Sequence, residues 1–274
     1  MSRWIAALPM YNVTPRHGAL WRALLQDTLE TFAQAGGPRE VSVLDAPHGD
    51  LLALWRRPDL LLSQTCGFPY RMLGLADSVQ LLATPAFDAE GCDGAYYRST
   101  LVVSARAWAQ GAVTLADCRG LRAACNARDS HSGMNALRRA VAPHARAGRF
   151  FASVEWAGSH LNALSALDAG TADVAAIDCV TLAYVRDALP ELLHGVRTIG
   201  ATAPAPGLPF VASHALPAGH AARLRDALDL ASAADARRAR ALRLRGFVRL
   251  SGTDYATIQQ CADEARALGY PDLA

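Results

Sequence analysis

The stretch Leu121-Arg122-Ala123-Ala124-Cys125 runs directly into Asn126-Ala127-Arg128-Asp129-Ser130-His131-Ser132-Gly133-Met134-Asn135. Its apolar first part predicts a buried strand, its polar middle predicts a short turn, and a helix is predicted to begin near Gly133. Such a turn directs backbone N–H groups and the hydroxyls of Ser130 and Ser132 into one small volume. Because first-turn N–H groups lack partners and the helix dipole is positive there, the volume favours an oxyanion held mostly by neutral donors.

Strands and helices alternate after this stretch begins. Strands are predicted at 121–125, 149–154 and 174–177, and helices at 133–141, 159–169 and 179–188. This βαβαβα order implies a mostly parallel sheet with helices on both faces.

The flanking residues show the same alternation. Earlier strands are predicted at 4–8, 40–44, 59–63, 79–85 and 95–103, and later ones at 196–200 and 210–213, with helix over the remaining C-terminal residues. The order predicts an α/β protein of two lobes. Residues 1–97 and 201–274 are expected to form the first lobe and residues 98–200 an inserted second lobe, with two hinge crossings near 96–100 and 198–204.

The composition excludes several classes of protein. The 274 residues are 51% hydrophobic and 19% charged, which is typical of a soluble globular chain. A net charge of +2 gives no general attraction to nucleic acid or to a membrane. All the basic residues are arginine, so a Schiff-base lysine and a Walker-type phosphate lysine are both excluded.

The cysteine spacing and the N-terminal residues bear on disulfides, metal sites and cellular location. Six cysteines are scattered without a CxxC pair or a Cys/His ligand spacing, which argues against a disulfide framework and a metal site. The first apolar run is too short for a signal peptide, and no segment is long enough to cross a membrane. We therefore expect a cytoplasmic protein as the chain stands, or a periplasmic one if a leader was removed.

Several motifs together resemble the substrate-binding components of phosphate/phosphonate-type ABC transport systems, which have the type II periplasmic binding protein fold. The motifs are Ala6-Ala7-Leu8-Pro9-Met10-Tyr11, Asp59-Leu60-Leu61-Leu62-Ser63-Gln64-Thr65-Cys66-Gly67, Asp129-Ser130-His131-Ser132-Gly133, Gly158-Ser159-His160 and Ala172-Asp173-Val174-Ala175-Ala176-Ile177-Asp178. The resemblance implies a ligand cleft between the two lobes, a small anionic ligand and an ABC permease as partner. It also identifies Tyr11 as the cleft tyrosine.

The second lobe supplies most of the candidate ligand contacts. Ser130 and Ser132 are expected to donate hydroxyl hydrogen bonds, or else only to cap the helix. Gly133 is expected to let a ligand approach the backbone, or else only to permit the turn. His131 is either a donor or a surface residue. His160, at a second helix start, is expected to contact the anion, or else to be a partly buried histidine bonded to the backbone.

Asp178 ends a buried strand at the carboxyl edge of the sheet, where open α/β folds bind ligands. It is expected either to accept a hydrogen bond from a protonated phosphonate or pair with an amino group of the ligand, or else to cap the next helix. Asp173 starts the same strand and is expected to be structural.

The first lobe offers fewer candidates. Ser63, Gln64 and Thr65 follow a strand, and Thr65 is expected to offer its hydroxyl and backbone N–H, or else to be a helix N-cap. Tyr11 and Tyr97 are expected to cover the ligand, or else to pack in the core.

These features predict a monomeric solute-binding protein that closes around phosphonate, phosphate or a phosphate ester for uptake or sensing. No cofactor, metal, nucleic acid or membrane insertion is expected. Two alternatives stay open. One is a cytoplasmic cofactor-biosynthesis enzyme on the same scaffold, with His160 and Asp178 as its acid/base pair. The other is a ligand-sensing regulatory module.

Overall fold

The computed structural model describes residues 4–45 and 49–274. The chain divides into two compact units, each assembled from separate segments. The first comprises Met1–Asp88, Asp93–Tyr96 and Pro206–Tyr255, and the second comprises Ala89–Cys92, Tyr97–Ala205 and Ala256–Ala274.

The strands are β1 (Trp4–Ala7), β2 (Val41–Val43), β3 (Leu60–Gln64), β4 (Val79–Phe87), β5 (Tyr96–Tyr97), β6 (Ser99–Ser104), β7 (Arg122–Cys125), β8 (Ser153–Trp156), β9 (Val174–Asp178), β10 (Val196–Ala201), β11 (Ala205–Pro206), β12 (Phe210–Ser213) and β13 (Leu244–Val248). The α-helices are α1 (Pro15–Gln34), α2 (Leu51–Trp55), α3 (Gly67–Met72), α4 (Ala105–Ala109), α5 (Ala136–Val141), α6 (His160–Asp168), α7 (Cys179–Ala188), α8 (Ala218–Ala234), α9 (Ala236–Ala241) and α10 (Ala256–Ala267). A π-helical turn, His131–Asn135, leads into α5. Over residues 4–45 and 49–274, no helix has both the length and the apolar character that a membrane span requires.

The first unit is built on a sheet with the strand order β13-β4-β12-β3-β1-β2. β2 and β3 pair with β1 in parallel, whereas β12 runs antiparallel to β3 and β4, and β13 antiparallel to β4. Helix α1 begins after Thr14, whose side chain caps it, and it buries Trp21 and Phe32 at helical spacing.

The second unit is built on a sheet with the strand order β10-β6-β9-β7-β8. β7 pairs in parallel with β8 and β9, while β6 runs antiparallel to β9 and β10. Its core contains Leu137 of α5, Phe150 and Val174 of β9, all of them buried. Strand β7 lies between β9 and β8, so the turn that follows it starts from a strand that is paired on both sides.

The α/β class is confirmed, but both sheets are mixed instead of mostly parallel. Parallel neighbours need a crossover connection, and helix α1 connects the parallel pair β1 and β2, while α5 connects the parallel pair β7 and β8. β12 follows the short strand β11 without a crossover helix and runs against both of its neighbours. The βαβ pattern of the sequence describes only part of each sheet.

The C-terminal residues belong to the second unit, not to the first lobe in which the sequence placed them. Ala265 and Tyr270 are buried in the core of the second unit. The backbone N–H groups of Phe150 and Phe151 donate to the carbonyl oxygen of Ala274 at 2.8 and 3.0 Å. These bonds also explain why β8 begins at Ser153, since the expected strand at 149–154 is tied to the chain terminus instead of the sheet.

The C-terminal region is not wholly helical, as the sequence had predicted. Helix α8 ends at Ala234, and Asp235 caps α9 by accepting from the N–H groups of Arg237 and Arg238. β13 then follows as an edge strand beside β4. The many alanines and arginines before it have high helix propensity, which concealed a strand formed through tertiary pairing.

Candidate functional site

The turn after β7 starts a helical segment in the second unit. Ser130 has extended backbone angles and its Oγ accepts a hydrogen bond from the N–H of Gly133 at 3.2 Å, so it is the N-cap. The helical residues begin at His131, earlier than predicted, because the first turn is a π-helix that continues into α5. A π-helical turn is uncommon and is frequently found at functional sites.

Ser132 links this turn to the start of helix α6. Its Oγ lies 3.0 Å from Nε2 of His160 and 3.4 Å from Oγ of Ser130. His160 is the first residue of α6, which Ser159 caps by accepting from the N–H of Asn162. The structure therefore brings Ser130, Ser132 and His160 together at the starts of two helical segments, as the sequence predicted for the second lobe.

Both histidines of the site are neutral at pH 7. Burial lowers the pKa of His131 and of His160 to about 4. Nδ1 of His131 accepts from Nδ2 of Asn135 at 3.1 Å, and Oδ1 of Asn135 accepts from Arg138 at 2.8 Å, which fixes the amide orientation. His131 therefore carries its proton on Nε2. The ligand-free site therefore offers neutral donors to an anion.

Gly133 makes room for a side chain that the sequence analysis did not select. A Cβ atom at Gly133 would lie 2.0 Å from Oδ1 of Asn126 and 3.2 Å from Cε1 of His160. Close approach of the Asn126 amide is thus one reason for a glycine at this position, and close approach of a ligand stays a prediction. The signal for Asn126 was its position directly after β7, at the carboxyl edge of the sheet.

Two buried polar atoms beside Gly133 lack hydrogen-bond partners among the described residues. They are Oδ1 of Asn126 and Nδ1 of His160. Buried polar atoms are nearly always paired, so two unpaired atoms against one glycine indicate a place for a polar ligand or for water. Their position next to Ser132 extends the candidate site beyond the hydroxyl donors.

Asp178 is a helix cap in this structure. Its Oδ1 accepts from the N–H groups of Val180 and Thr181 at 2.8 and 3.0 Å, which matches the alternative considered for this residue. Asp178 pairs in register with Ser99 of β6, and Oγ of Ser99 donates to the carbonyl oxygen of Ser132. The carboxylate thus belongs to the framework of the turn, and a direct ligand contact stays a prediction.

Asp173 lies at the other end of β9 and is structural, as expected. Burial opposes its ionisation, but hydrogen bonds from Arg122 and Arg106 outweigh that effect and lower its pKa to about 2.

The first-unit candidates are already engaged in structural hydrogen bonds. The hydroxyl of Ser63 accepts from the indole N–H of Trp55 at 3.2 Å. Nε2 of Gln64 donates to the carbonyl oxygen of Leu208 at 3.2 Å, while its Oε1 is buried without a hydrogen-bond partner among the described residues. The Gln64 carbonyl is thus a buried acceptor that a further bond can satisfy.

Thr65 does not have the predicted geometry. Its N–H, expected to be available to a ligand, donates to the carbonyl oxygen of Pro209 at 3.0 Å. Helix α3 begins at Gly67 with Cys66 as its N-cap, so Thr65 is not the cap either. The backbone N–H that was predicted to bind the ligand is therefore already bonded to the turn at 206–209.

The two tyrosines have different surroundings. Tyr97 is buried, and its ring lies 6.3 Å from that of His131, so it adjoins the second-unit site. Tyr11 is in the first unit, packs edge-on against Phe87 at 5.3 Å and has a φ of 63°. A positive φ is uncommon for a large residue and marks a locally constrained backbone.

A family model described as the periplasmic substrate-binding protein of a phosphonate ABC transporter matches residues 55–255, well over half of the chain. The chain belongs to this family. The resemblance seen in the sequence is confirmed, and the protein has a solute-binding role. Among the described residues, no group of three or more histidine, cysteine, aspartate or glutamate side chains could hold a metal ion.

Solved structures show the same fold at low sequence identity. The binding component of an ABC phosphonate transporter from Pseudomonas aeruginosa has a TM-score of 0.76 and 16% identity, covering 97% of this chain and 87% of that one. PhnD1 from Prochlorococcus marinus, in complex with methylphosphonate, has a TM-score of 0.72 and 15% identity, covering 96% and 98%. XAC2383 from Xanthomonas citri, bound to ATP, has a TM-score of 0.70 and 18% identity, covering 98% of both chains. No curated protein sequence matches the chain.

Proposed function

We propose that this solute-binding protein takes up a small phosphorus oxyanion, with a phosphonate as the first candidate and phosphate or a phosphate ester as related ligands. The observation that carries the proposal is the contact between Ser132 and His160 beside the unpaired atoms Oδ1 of Asn126 and Nδ1 of His160. The methylphosphonate held by PhnD1 from Prochlorococcus marinus supports the same ligand class.

The donors suit an anion although none of them is charged. The hydroxyls of Ser130 and Ser132 rotate freely enough to donate to an oxyanion, and they lie where a helix presents its positive end. A hydrogen bond to an ionised acceptor is roughly twice as strong as a neutral one, and burial strengthens it further.

Asn126 favours a ligand that carries a proton. Its Oδ1 is an acceptor without a partner among the described residues, so a ligand that donates to it removes a desolvation cost. A singly protonated phosphonate or phosphate has a P–OH group, whereas sulfate and sulfonates carry no proton near pH 7. The site is therefore expected to prefer phosphorus oxyanions over sulfur ones.

The transport role follows from the family. We infer that the protein works as a monomer in the periplasm and delivers its ligand to an ABC permease. Contact of the ligand with Tyr11, Gln64 or Asp178 remains part of this proposal.

One observation favours a second candidate, catalysis. Ser132 and His160 are within 3.0 Å, which is the spacing of a nucleophile and its general base. Such a pair also needs a group that orients the histidine through its other nitrogen, and among the described residues Nδ1 of His160 has no partner. Asp178, the other residue considered for acid/base work, uses its Oδ1 to cap α7. We therefore propose binding without turnover.

Calorimetric titration with methylphosphonate, 2-aminoethylphosphonate, phosphate, sulfate and methanesulfonate tests the proposal. We expect one site per chain and at least tenfold tighter binding of a phosphorus oxyanion than of its sulfur counterpart. A separate incubation with 4-nitrophenyl phosphate, a phosphate ester, tests for turnover, and release of 4-nitrophenol would support catalysis instead. Equal binding of sulfur and phosphorus ligands, or no binding of any of the five, would contradict the proposed ligand class.

A further inference from the structure

Two cysteines that are 87 positions apart in the sequence meet in the second unit. The Sγ atoms of Cys92 and Cys179 are 3.5 Å apart. Cys92 ends the short segment Ala89–Cys92, and Cys179 is the first residue of helix α7. The scatter of the six cysteines argued against a disulfide framework, yet folding brings this one pair into contact.

The backbone on both sides of the pair is held in place. The N–H of Cys92 donates to the carbonyl oxygen of Ala89, and the N–H of Cys179 donates to that of Arg98. Gly91 has a φ of 95°, and a Cβ atom there would lie 3.1 Å from Cβ and 3.3 Å from Sγ of Cys179. Glycine at this position allows the loop to approach the helix start closely.

One thiol of the pair, that of Cys179, lines a cavity. Cys179 and Gly91 line a cavity of about 350 Å³ whose wall includes the side chains of Arg98 and Arg186. Cys92 is half-buried, whereas Cys179 is almost completely buried. Cys92 does not line this cavity, but it is the more exposed of the two thiols, so we expect an oxidant to attack Cys92 first.

The other cysteines have different partners or surroundings. The sulfur of Cys118 donates to the carbonyl oxygen of Thr114, and that of Cys261 to the carbonyl oxygen of Asn135. Cys125 is buried among the apolar side chains of the second-unit core, and Cys66 is the N-cap of α3 in the first unit.

We propose that Cys92 and Cys179 form a reversible disulfide by exchange with a small-molecule disulfide such as oxidised glutathione. The Cys92 thiolate attacks the reagent, forms a mixed disulfide and expels one thiolate. Cys179 then loses its proton and attacks the Cys92 sulfur, which expels the second thiolate. Two protein thiols are oxidised, one reagent disulfide is reduced, and the two protons pass to the departing thiols.

The bond would tie the 89–92 segment to the start of α7, directly after Asp178. It would also close a long loop of the unfolded chain, which stabilises the folded state. Bonds of this kind persist in oxidising compartments such as the bacterial periplasm.

The full chain, incubated with either oxidised glutathione or dithiothreitol, tests the proposal. Thiol counting and non-reducing peptide mapping should show two thiols lost on oxidation, with Cys92 and Cys179 joined. The midpoint of thermal unfolding should rise by roughly 5–10 °C on oxidation. Cys92→Ala should abolish both effects, while the matched variant Cys261→Ala, altered at another half-buried cysteine, should retain them.

Three results would overturn the proposal, and each can be seen in the unmutated protein. They are retention of all the free thiols, a stable glutathione adduct on Cys92 without cross-linking, and a disulfide between any other pair. Peptide mapping of the unmutated chain does not depend on whether either variant folds.

Discussion

The hydroxyl oxygen of Ser132 and Nε2 of His160 are 3.0 Å apart, although the residues are 28 positions apart in the sequence. Ser132 lies in the π-helical turn before α5, and His160 is the first residue of α6. One hydrogen bond thus connects the starts of two helical segments in the second unit. Burial keeps the histidine neutral by lowering its pKa to about 4.

Replacing Ser132 with alanine should weaken binding of the preferred phosphorus oxyanion by roughly 10- to 100-fold. The variant removes a donor to a charged acceptor, which contributes about 1.5–3 kcal/mol. Calorimetric titration measures the change. Ser165→Ala, at an exposed serine of α6, is the matched control and should bind as the unmutated protein does. Equal affinities for the two variants would show that the Ser132 hydroxyl does not contact the ligand.

Acidification should destabilise the ligand-free protein below pH 6.5. The folded-state pKa of His131 and of His160 is lowered to about 4, so the unfolded chain binds protons first as the pH falls. Between pH 6.5 and pH 4, the free energy of unfolding should fall by up to about 1.4 kcal/mol per pH unit for each histidine. Urea unfolding of His160→Gln across this range should give a shallower slope, and an unchanged slope would contradict the neutral state assigned to His160.

Replacing Gly133 with alanine should displace the Asn126 amide, because the new Cβ would lie 2.0 Å from its Oδ1. The expected loss in the free energy of unfolding is roughly 1–3 kcal/mol. The double variant Gly133→Ala/Asn126→Ala should recover most of that loss in urea unfolding. If the effects of the two substitutions on the free energy of unfolding simply add, the contact between these residues is not the cause of the loss.

Asp173→Asn should lower the free energy of unfolding by roughly 1–3 kcal/mol at pH 7, because Arg106 and Arg122 lose a charged acceptor. The pKa of Asp173 is about 2 in the folded protein and about 3.9 in an unfolded chain. The contribution of ionised Asp173 to the free energy of unfolding is therefore present above pH 4 and is lost as the pH falls towards 2. Urea unfolding of Asp168→Asn, at an exposed aspartate of α6, should show neither effect.

The sequence predicted that Ser130, Ser132 and His160 lie near one another because their placement depends on local pattern. Each residue follows a predicted strand and lies close to the start of a predicted helix, so the strand order places all three at one sheet edge. Their contact with a ligand stays a prediction. Asn126 was missed because its role depends on how its amide packs against Gly133, a contact that hydrophobic periodicity does not encode.

Features that depend on long-range pairing were predicted poorly. The backbone N–H of Thr65 is used by Pro209, and strand β13 forms only through its partner β4. The residues from Ala256 onward pack in the second unit because Ala265 and Tyr270 fit its core, although nothing in their helical pattern specifies a partner. Local sequence pattern predicts many of the elements, while tertiary contacts decide whether a strand such as β13 forms and which unit receives each element.

A crystal structure of the protein with its preferred phosphonate tests the central claim most directly. We predict phosphonate oxygens within hydrogen-bond distance, about 3 Å, of the hydroxyls of Ser130 and Ser132 and of the imidazole of His160. The amide of Asn126 should be paired with the ligand as well. A phosphonate bound elsewhere, with the contact between Ser132 and His160 unchanged and no ligand atom near it, would contradict the account.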